Sequence, residues 1–314
     1  MSFLERALEL AAGTNVRAYP NPTVGAVVVT GGDVVGEGAT ETYGGRHGEI
    51  VALDAAGGRA RGATLYLTME PCTHHGRTPP CVERIVAAGI ARVVAASLDP
   101  NPRAGGGLEY LSARGVDVEL RDTWEARRQN EAWRTWVARG RPFVVLKSAA
   151  TLDGRVTLTG SRWISGAESR RLVHELRAGM DAVAVGMGTV RADDPRLDAR
   201  GVETPRGQPR RLAFGRGPLP EGSPLELRTG PLADELAALA ADGVQSLLLE
   251  GGPTLAAAFV DEDLVDKLLL FIAPSLAGAG PGLLSALRCQ RTLSRLSARA
   301  VGDDVLLESY VHEP

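Results

Sequence analysis

Cys72 and Cys81 stand in the stretch EPCTHHGRTPPC with eight residues between them, among them His74, His75 and Arg77. Three readings of such a pair are open: a disulfide, a closed structural zinc site, or part of a catalytic metal centre. Upstream lies His47-Gly48-Glu49. One histidine and two cysteines are three ligands suited to Zn²⁺, and three ligands leave one tetrahedral position open to water. A closed structural site needs a fourth ligand, and His74 or His75 is at hand for it. Zinc lowers the pKa of a bound water and makes hydroxide available near neutral pH. Glu49, two residues after His47 and not itself a ligand, is placed to shuttle protons. H-x-E followed by P-C and a second cysteine is the signature of the zinc nucleobase deaminases. That class commonly spaces its cysteines C-x₂-C, so here the insert THHGRTPP must loop out beside the metal.

The composition narrows the alternatives. A chain of 314 residues predicts two domains. With 44% hydrophobic and 23% charged residues it reads as soluble and globular. A nucleic-acid-editing deaminase calls for a basic, aromatic-rich surface. A net charge of −3 and 4% aromatic residues argue against nucleic acid as a partner. No run approaches the roughly 20 apolar residues of a membrane helix, so no membrane partner is expected. MSFLERALELAAG reads as an amphipathic helix and not as a signal peptide. The expected location is cytoplasmic, where disulfides are rare and a close cysteine pair binds metal or does redox work. Cys289 stands alone and reads as a buried or incidental thiol.

The elements that must position these residues follow an α/β rhythm. VGAVVV is a buried strand, TGGD a tight turn and DVVGEG its hairpin partner. HGEIVALDAA is a helix that opens on His47 and Glu49. ATLYLTM is a strand that delivers Cys72, and CVERIVAAGI is a helix that opens on Cys81. ARVVAASL is a further strand. Strands separated by helices predict a mixed or parallel sheet covered on both faces. DTWEARRQNEAWRTWVARGRP reads as one charged helix, and Gly140 and Pro142 end it, which places a domain boundary near residue 141. FVVLKSAATLDGRVTL then restarts with a strand and a turn at Asp153-Gly154. ESRRLVHELRAG, DAVAVG, ELAALAADG, QSLLLEGG, PTLAAAFVDE and DKLLLFIAP continue the alternation. The stretch from about Ala199 to Gly230 is the least regular.

YPNPTVGAVVV, HGE, EPCTHHGRTPPC and DPNP, followed by KSAATLDGR, SRWIS, VGMGTVRADDPRL and LLLEGGPTL, resemble the bacterial bifunctional riboflavin-biosynthesis deaminase/reductases, in order and over nearly the whole chain. The resemblance implies an N-terminal cytidine-deaminase-like three-layer α/β/α domain at 1–141 and a C-terminal dihydrofolate-reductase-like α/β domain at 142–314. It implies zinc-dependent hydrolytic deamination of a phosphoribosylaminopyrimidine, then NADPH reduction of its ribosyl group to a ribityl chain. A dimer or tetramer through the reductase half is also implied. His47, Cys72 and Cys81 carry over as zinc ligands and Glu49 as the proton shuttle. Asn21 carries over as a contact near the base. His74 and Arg77, and on the same logic His75, are candidates to meet phosphate or base edges, arginine by bidentate hydrogen bonds.

In the reductase half the resemblance assigns Ala150, Trp163, Thr189 and Asp193 to the cofactor, with Gly252, Pro253, Thr254 and Leu255 at its phosphates. A glycine turn entering a helix turns backbone N–H groups toward an anion. Ser161, Arg177, Leu197, Arg200 and Glu250 would hold the substrate, with Arg177 and Arg200 as phosphate partners. Without the resemblance, Arg177 reads as an exposed helical arginine and Trp163 as a core aromatic. Lys147 and Asp153 are further candidates.

Two departures from the family stand out. Ala213-Phe214-Gly215 replaces an Asp-Ser, and the following segment is short, which predicts loss of a strand and loop near the cofactor's adenosine end. A second reading follows: a deaminase whose degenerate reductase half is only a scaffold. A zinc-stabilised binding protein without catalysis is a further alternative. Gly48 stands where the family usually has alanine, and weakens the helix start by under about 1 kcal/mol.

Overall fold

In the computed structural model, which describes residues 1–14, 18–76, 79–284 and 286–314, the chain divides into two units. These are Met1–Arg139, joined by Pro314, and Gly140–Glu313. Each is built on one sheet. No helix among the described residues is long and apolar enough to cross a membrane.

The first unit opens with a helix, Phe3–Ala12, whose start is fixed by a reciprocal cap: Glu5 N–H donates to Ser2 Oγ and Ser2 N–H to the Glu5 carboxylate. β1 (Gly25–Thr30) and β2 (Asp33–Ala39) form the expected hairpin. Its two turn residues, Gly31 and Gly32, both have positive φ, which a two-residue hairpin of native twist requires. β3 (Thr64–Leu67) pairs antiparallel with β1, and β4 (Arg92–Ala95) and β5 (Asp117–Leu120) extend the sheet in parallel, giving the order β2-β1-β3-β4-β5. Both faces of β1 are covered. Ala26 and Val28 pack into a core with Leu65, Leu67, Val82 and Ile85, while Val27 and Val29 meet Ala7 of the first helix. The result is three layers, helix on sheet on helix.

The charged segment after β5 forms two helices where one was expected, Trp124–Gln129 and Glu131–Arg139. The break is Asn130. Its buried amide accepts from Thr23 N–H at 2.9 Å and donates to Thr23 O at 2.9 Å, closing a strand-like pair across the fold. That contact sets the chain's course at residue 130, which helix propensity alone does not reveal.

The second unit holds an eight-stranded sheet in the order β12-β13-β11-β6-β10-β7-β8-β9. Its central run is parallel: β11 (Lys267–Ala273), β6 (Phe143–Thr151), β10 (Ser246–Leu249), β7 (Ala182–Gly186), β8 (Arg210–Phe214) and β9 (Glu226–Arg228). Helices Ala167–Gly179, Met187–Asp193, Leu232–Ala241 and Pro253–Asp261 connect these strands. An antiparallel hairpin, β12 (Ser294–Val301) and β13 (Asp304–Tyr310), closes one side. The segment expected to have lost a strand retains one. β9 pairs with β8 from Leu212↔Glu226 to Phe214↔Arg228, and Arg210 clamps Glu226.

Candidate functional site

In the first unit three chain segments converge. Helix Gly48–Ala56 lies against β2 and starts immediately after His47; Cys72 follows β3; Cys81 begins helix Cys81–Ala87. His47 Nδ1 lies 3.6 Å from Cys72 Sγ and 3.2 Å from Cys81 Sγ. Zn–N near 2.0 Å and Zn–S near 2.3 Å place tetrahedral ligand atoms about 3.6 Å apart, so the spacing fits one zinc ion. Among the described residues these three are the group able to hold a metal, and neither His74 nor His75 joins them. The set is therefore three ligands and not four, the arrangement of a catalytic zinc. Both cysteines are free thiols, which sets the disulfide aside.

The electrostatics agree. Cys81 hydrogen-bonds Cys72 and draws its thiol down to about 4, while the same contact, burial and Glu49 push the Cys81 thiol up. Hydrogen bonding to Cys72 raises the His47 imidazole to about 9, against burial. Glu49 is 2% exposed, and burial, opposed by the His47 charge, pushes its carboxyl up to about 7. Its Oε2 accepts no hydrogen bond among the described residues. A buried carboxylate oxygen without a partner is costly. It marks a place for a polar group beside the ligands.

Gly48 proves to be more than a weakened helix start. A Cβ there would lie 2.3 Å from the Val24 carbonyl oxygen at the mouth of β1. Overpacking of that kind costs about 1–3 kcal/mol, more than the roughly 1 kcal/mol of helix propensity that alanine would return. The glycine lets the helix approach closely enough to aim His47 and Glu49.

Around this centre Asn21 is half-buried, its N–H donating to Ala18 O. His74 is half-buried with Nδ1 unpartnered among the described residues, and His75 is exposed. Arg77 lies outside the described residues. Sequence reasoning passed over Glu70 and Asp99. Glu70 accepts from Asp99 N–H and Leu108 N–H, and so ties the residues just before Cys72 to the loop that follows β4. Burial raises the Asp99 carboxyl to about 6. The signal was there: Glu70 precedes Pro71-Cys72, and Asp99 opens DPNP.

The second unit contains a cavity of about 1240 Å³ at the carboxyl ends of β6, β7, β8 and β10, where parallel sheets bind ligands. It is lined by Trp163, Thr189, Asp193 and the turn Gly252-Pro253-Thr254-Leu255, and by Ser161, Arg177, Leu197, Arg200, Glu250 and Lys147. Ala150 is fully buried in β6 and is not part of the lining. Asp153 does not line it either; its carboxylate accepts from Thr151 Oγ1 and from the N–H groups of Ala277 and Gly278, tying two loops together.

The geometry changes three of the readings. Trp163 is 53% exposed, not core, and Arg162 and Arg170 flank its ring at 5.1 and 5.3 Å. Ser161 Oγ is engaged by the Trp163 backbone on both sides. Arg177 is neither an exposed arginine nor free for phosphate. It binds Glu250 bidentately at 2.6 and 3.0 Å, while Lys147 stands 3.5 Å from the same carboxylate. Burial alone would raise the Glu250 carboxyl, but Lys147 and Arg177 overcome it and hold it below its ordinary value. Arg200 is exposed and pairs with Asp198. Leu197, almost fully buried, has φ 55°, a left-handed backbone that costs a leucine energy. Gly252 caps helix Pro253–Asp261 and Pro253 takes its first position, leaving first-turn N–H groups toward the cavity.

Comparisons with known proteins cover both units. Residues 1–97 match the cytidine and deoxycytidylate deaminase zinc-binding region, and residues 142–307 match the RibD C-terminal domain. A riboflavin biosynthesis protein RibD from Aquifex aeolicus is 41% identical over 89% of this chain and 88% of its own. The structure of Acinetobacter baumannii RibD superposes with a TM-score of 0.85 at 32% identity, covering 98% of this chain and 97% of that one. That of a Thermotoga maritima diaminohydroxyphosphoribosylaminopyrimidine deaminase/5-amino-6-(5-phosphoribosylamino)uracil reductase gives 0.82 at 32% identity, with the same coverage.

Proposed function

The chain belongs to the RibD family of bifunctional riboflavin-biosynthesis deaminase/reductases, and on that premise we propose a residue-level account of its two reactions. Its reductase domain is intact, which sets aside the reading of that half as a scaffold. The substrate we assign is 2,5-diamino-6-(5-phosphoribosylamino)pyrimidin-4-one.

In the first unit His47, Cys72 and Cys81 hold zinc. When bound, the metal supplies the Lewis acidity that makes water a nucleophile near neutral pH. Glu49 moves the protons. Its carboxylate takes one from the attacking water and passes protons to the leaving nitrogen, so that water and amine become carbonyl and ammonia. Burial pushes this carboxyl up from its ordinary value, toward the range in which a base that later serves as acid works near neutral pH. Asn21 orients the base, and His74, with Arg77, contacts the phosphoribosyl arm.

In the second unit the Gly252–Leu255 turn receives cofactor phosphates, and Trp163, Thr189 and Asp193 line the remainder of that site. NADPH, when bound, supplies the hydride for ribosyl reduction. Glu250, kept ionised by Arg177 and Lys147, accepts from sugar hydroxyls. Ser161, Leu197 and Arg200 complete the substrate side. The family resemblance further supports a dimer or tetramer, which sedimentation measures.

The observation that carries the deaminase assignment is the three-ligand set beside the unpartnered Glu49 Oε2. One assay tests the whole reading: ammonia and NADPH followed together on the pyrimidine phosphate, with and without a zinc chelator. Ammonia release and NADPH oxidation in sequence are expected. No NADPH oxidation at millimolar cofactor, with deaminated substrate present, would overturn the reductase assignment.

A further inference from the structure

One loop of the cavity wall is held by its backbone. Helix Ala167–Gly179 carries His174 and Arg177, three positions apart and therefore on one face. Against that face runs Leu197-Asp198-Ala199-Arg200; its first and last residues line the cavity, and so does His174. Arg177 Nη1 donates to Asp198 O at 3.1 Å. The Gln208 amide accepts from Ala199 N–H at 2.8 Å and donates to Ala199 O at 2.9 Å. Arg200 N–H donates to His174 Nδ1 at 3.2 Å. Leu197 opens the loop at φ 55°. A left-handed leucine persists only where its surroundings over-determine it, and these four bonds do so.

His174 Nδ1 also lies 3.2 Å from Asp198 O. A ring nitrogen donates or accepts, according to where the proton sits. With the proton on Nδ1, the ring donates to Asp198 O, which Arg177 already supplies, and Arg200 N–H loses its acceptor. With the proton on Nε2, Nδ1 accepts from Arg200, and each of these backbone groups is paired. The imidazolium has protons on both nitrogens and cannot accept at all. The loop therefore requires the neutral ring.

The surrounding charges favour that form. Arg177 stands on the same helix, with Arg170 donating to Ser165 O and Arg171 paired with Glu175. The loop presents Asp198 and Arg200, paired with each other. Behind Arg177 lie Glu250 at the end of β10 and Lys147 of β6. Burial first, then Arg177, hold the His174 imidazole below its ordinary 6.5.

We infer that His174 is a positioning residue of the reductase: its neutral ring fixes the backbone of Arg200 for substrate, and protonation releases it. The inference rests on the proposed reading of this wall as the substrate side.

Steady-state kinetics of the full-length protein on deaminated substrate, with NADPH oxidation as the signal, test it. His174→Ala removes the acceptor. It should raise KM for the substrate on the order of 3- to 10-fold, the worth of one hydrogen bond, with kcat and KM for NADPH within about twofold. The unchanged NADPH value reports that the cavity remains folded. His174→Asn puts an amide oxygen in place of Nδ1 and does not titrate, so at about pH 8 it should restore KM to near the wild-type value. The neutral form is the working one and its pKa is lowered, so positioning is complete above 6.5 and is lost as pH falls through the lower value. The ratio of wild-type KM to His174→Asn KM should therefore rise on acidification. Titration of the substrate phosphate cancels in that ratio. An unchanged KM in His174→Ala, failure of His174→Asn to restore it, or a flat ratio overturns the inference and leaves the substrate site standing. Absence of NADPH oxidation by the wild type overturns the site and the inference together.

Discussion

In the first unit, His47, Glu49, Cys72 and Cys81 meet in one wedge, and the spacing of the three ligands fits a single zinc ion. In the second, the candidate residues come from the ends of β6, β7, β8 and β10 and surround a cavity of about 1240 Å³. The contrast follows from the two chemistries. Hydrolytic deamination needs one activated water and one proton carrier, so a few side chains held rigidly suffice. Hydride transfer needs two large anionic molecules placed face to face, and a wide wall must supply position and charge. The first site gains precision from backbone close approach at Gly48. The second depends on charge balance, with Glu250 held between Arg177 and Lys147.

Zinc removal should divide the units most sharply. A chelator is expected to abolish ammonia release and to leave NADPH oxidation of deaminated substrate unchanged; parallel loss of both would break the contrast. Glu49→Gln is next. It should lower ammonia release by on the order of 10²- to 10⁴-fold with zinc content retained, measured by metal analysis beside the assay. Zinc lost together with activity would instead make Glu49 part of the ligand structure.

Glu250→Gln should destabilise the reductase unit by about 3 kcal/mol, because it leaves Arg177 and Lys147 without their buried counter-charge. Thermal melting checks this. The sign of its pH dependence is fixed. The folded-state carboxyl lies below its ordinary 4.5, so its contribution is full above that value and is lost as pH falls through the lowered one. The variant should lack that acid-side loss. The smallest effect belongs to Gly48→Ala, expected to cost about 1–3 kcal/mol and to weaken zinc binding. A gain in melting temperature would show that helix propensity outweighs the Val24 contact.

The two regions also differ in how plainly the sequence announced them. The zinc centre is compressed into His47-Gly48-Glu49 and Pro71-Cys72…Cys81, and each ligand stands next to an element boundary legible from local pattern. The hairpin at Gly31-Gly32 and the continuous burial of β1 were legible for the same reason. The break at Asn130 was not, because its cause is Thr23, more than a hundred residues away in sequence. The β12–β13 hairpin was also passed over, although Gly302 and Asp303 form a turn signal between two β-prone runs. The reductase residues were named through family resemblance, since their spacing carries no local signature.

By itself, then, the sequence determined residue types, their order, and the α/β alternation that brings them to strand ends, all of which depend on neighbours along the chain. The tertiary structure decided that the zinc set has three ligands and not four, that a Cβ at residue 48 would press on the Val24 carbonyl, that Trp163 is exposed, and that Arg177 is bound to Glu250. Each of these turns on a distance between residues far apart in sequence, and such distances exist only once both sheets are formed.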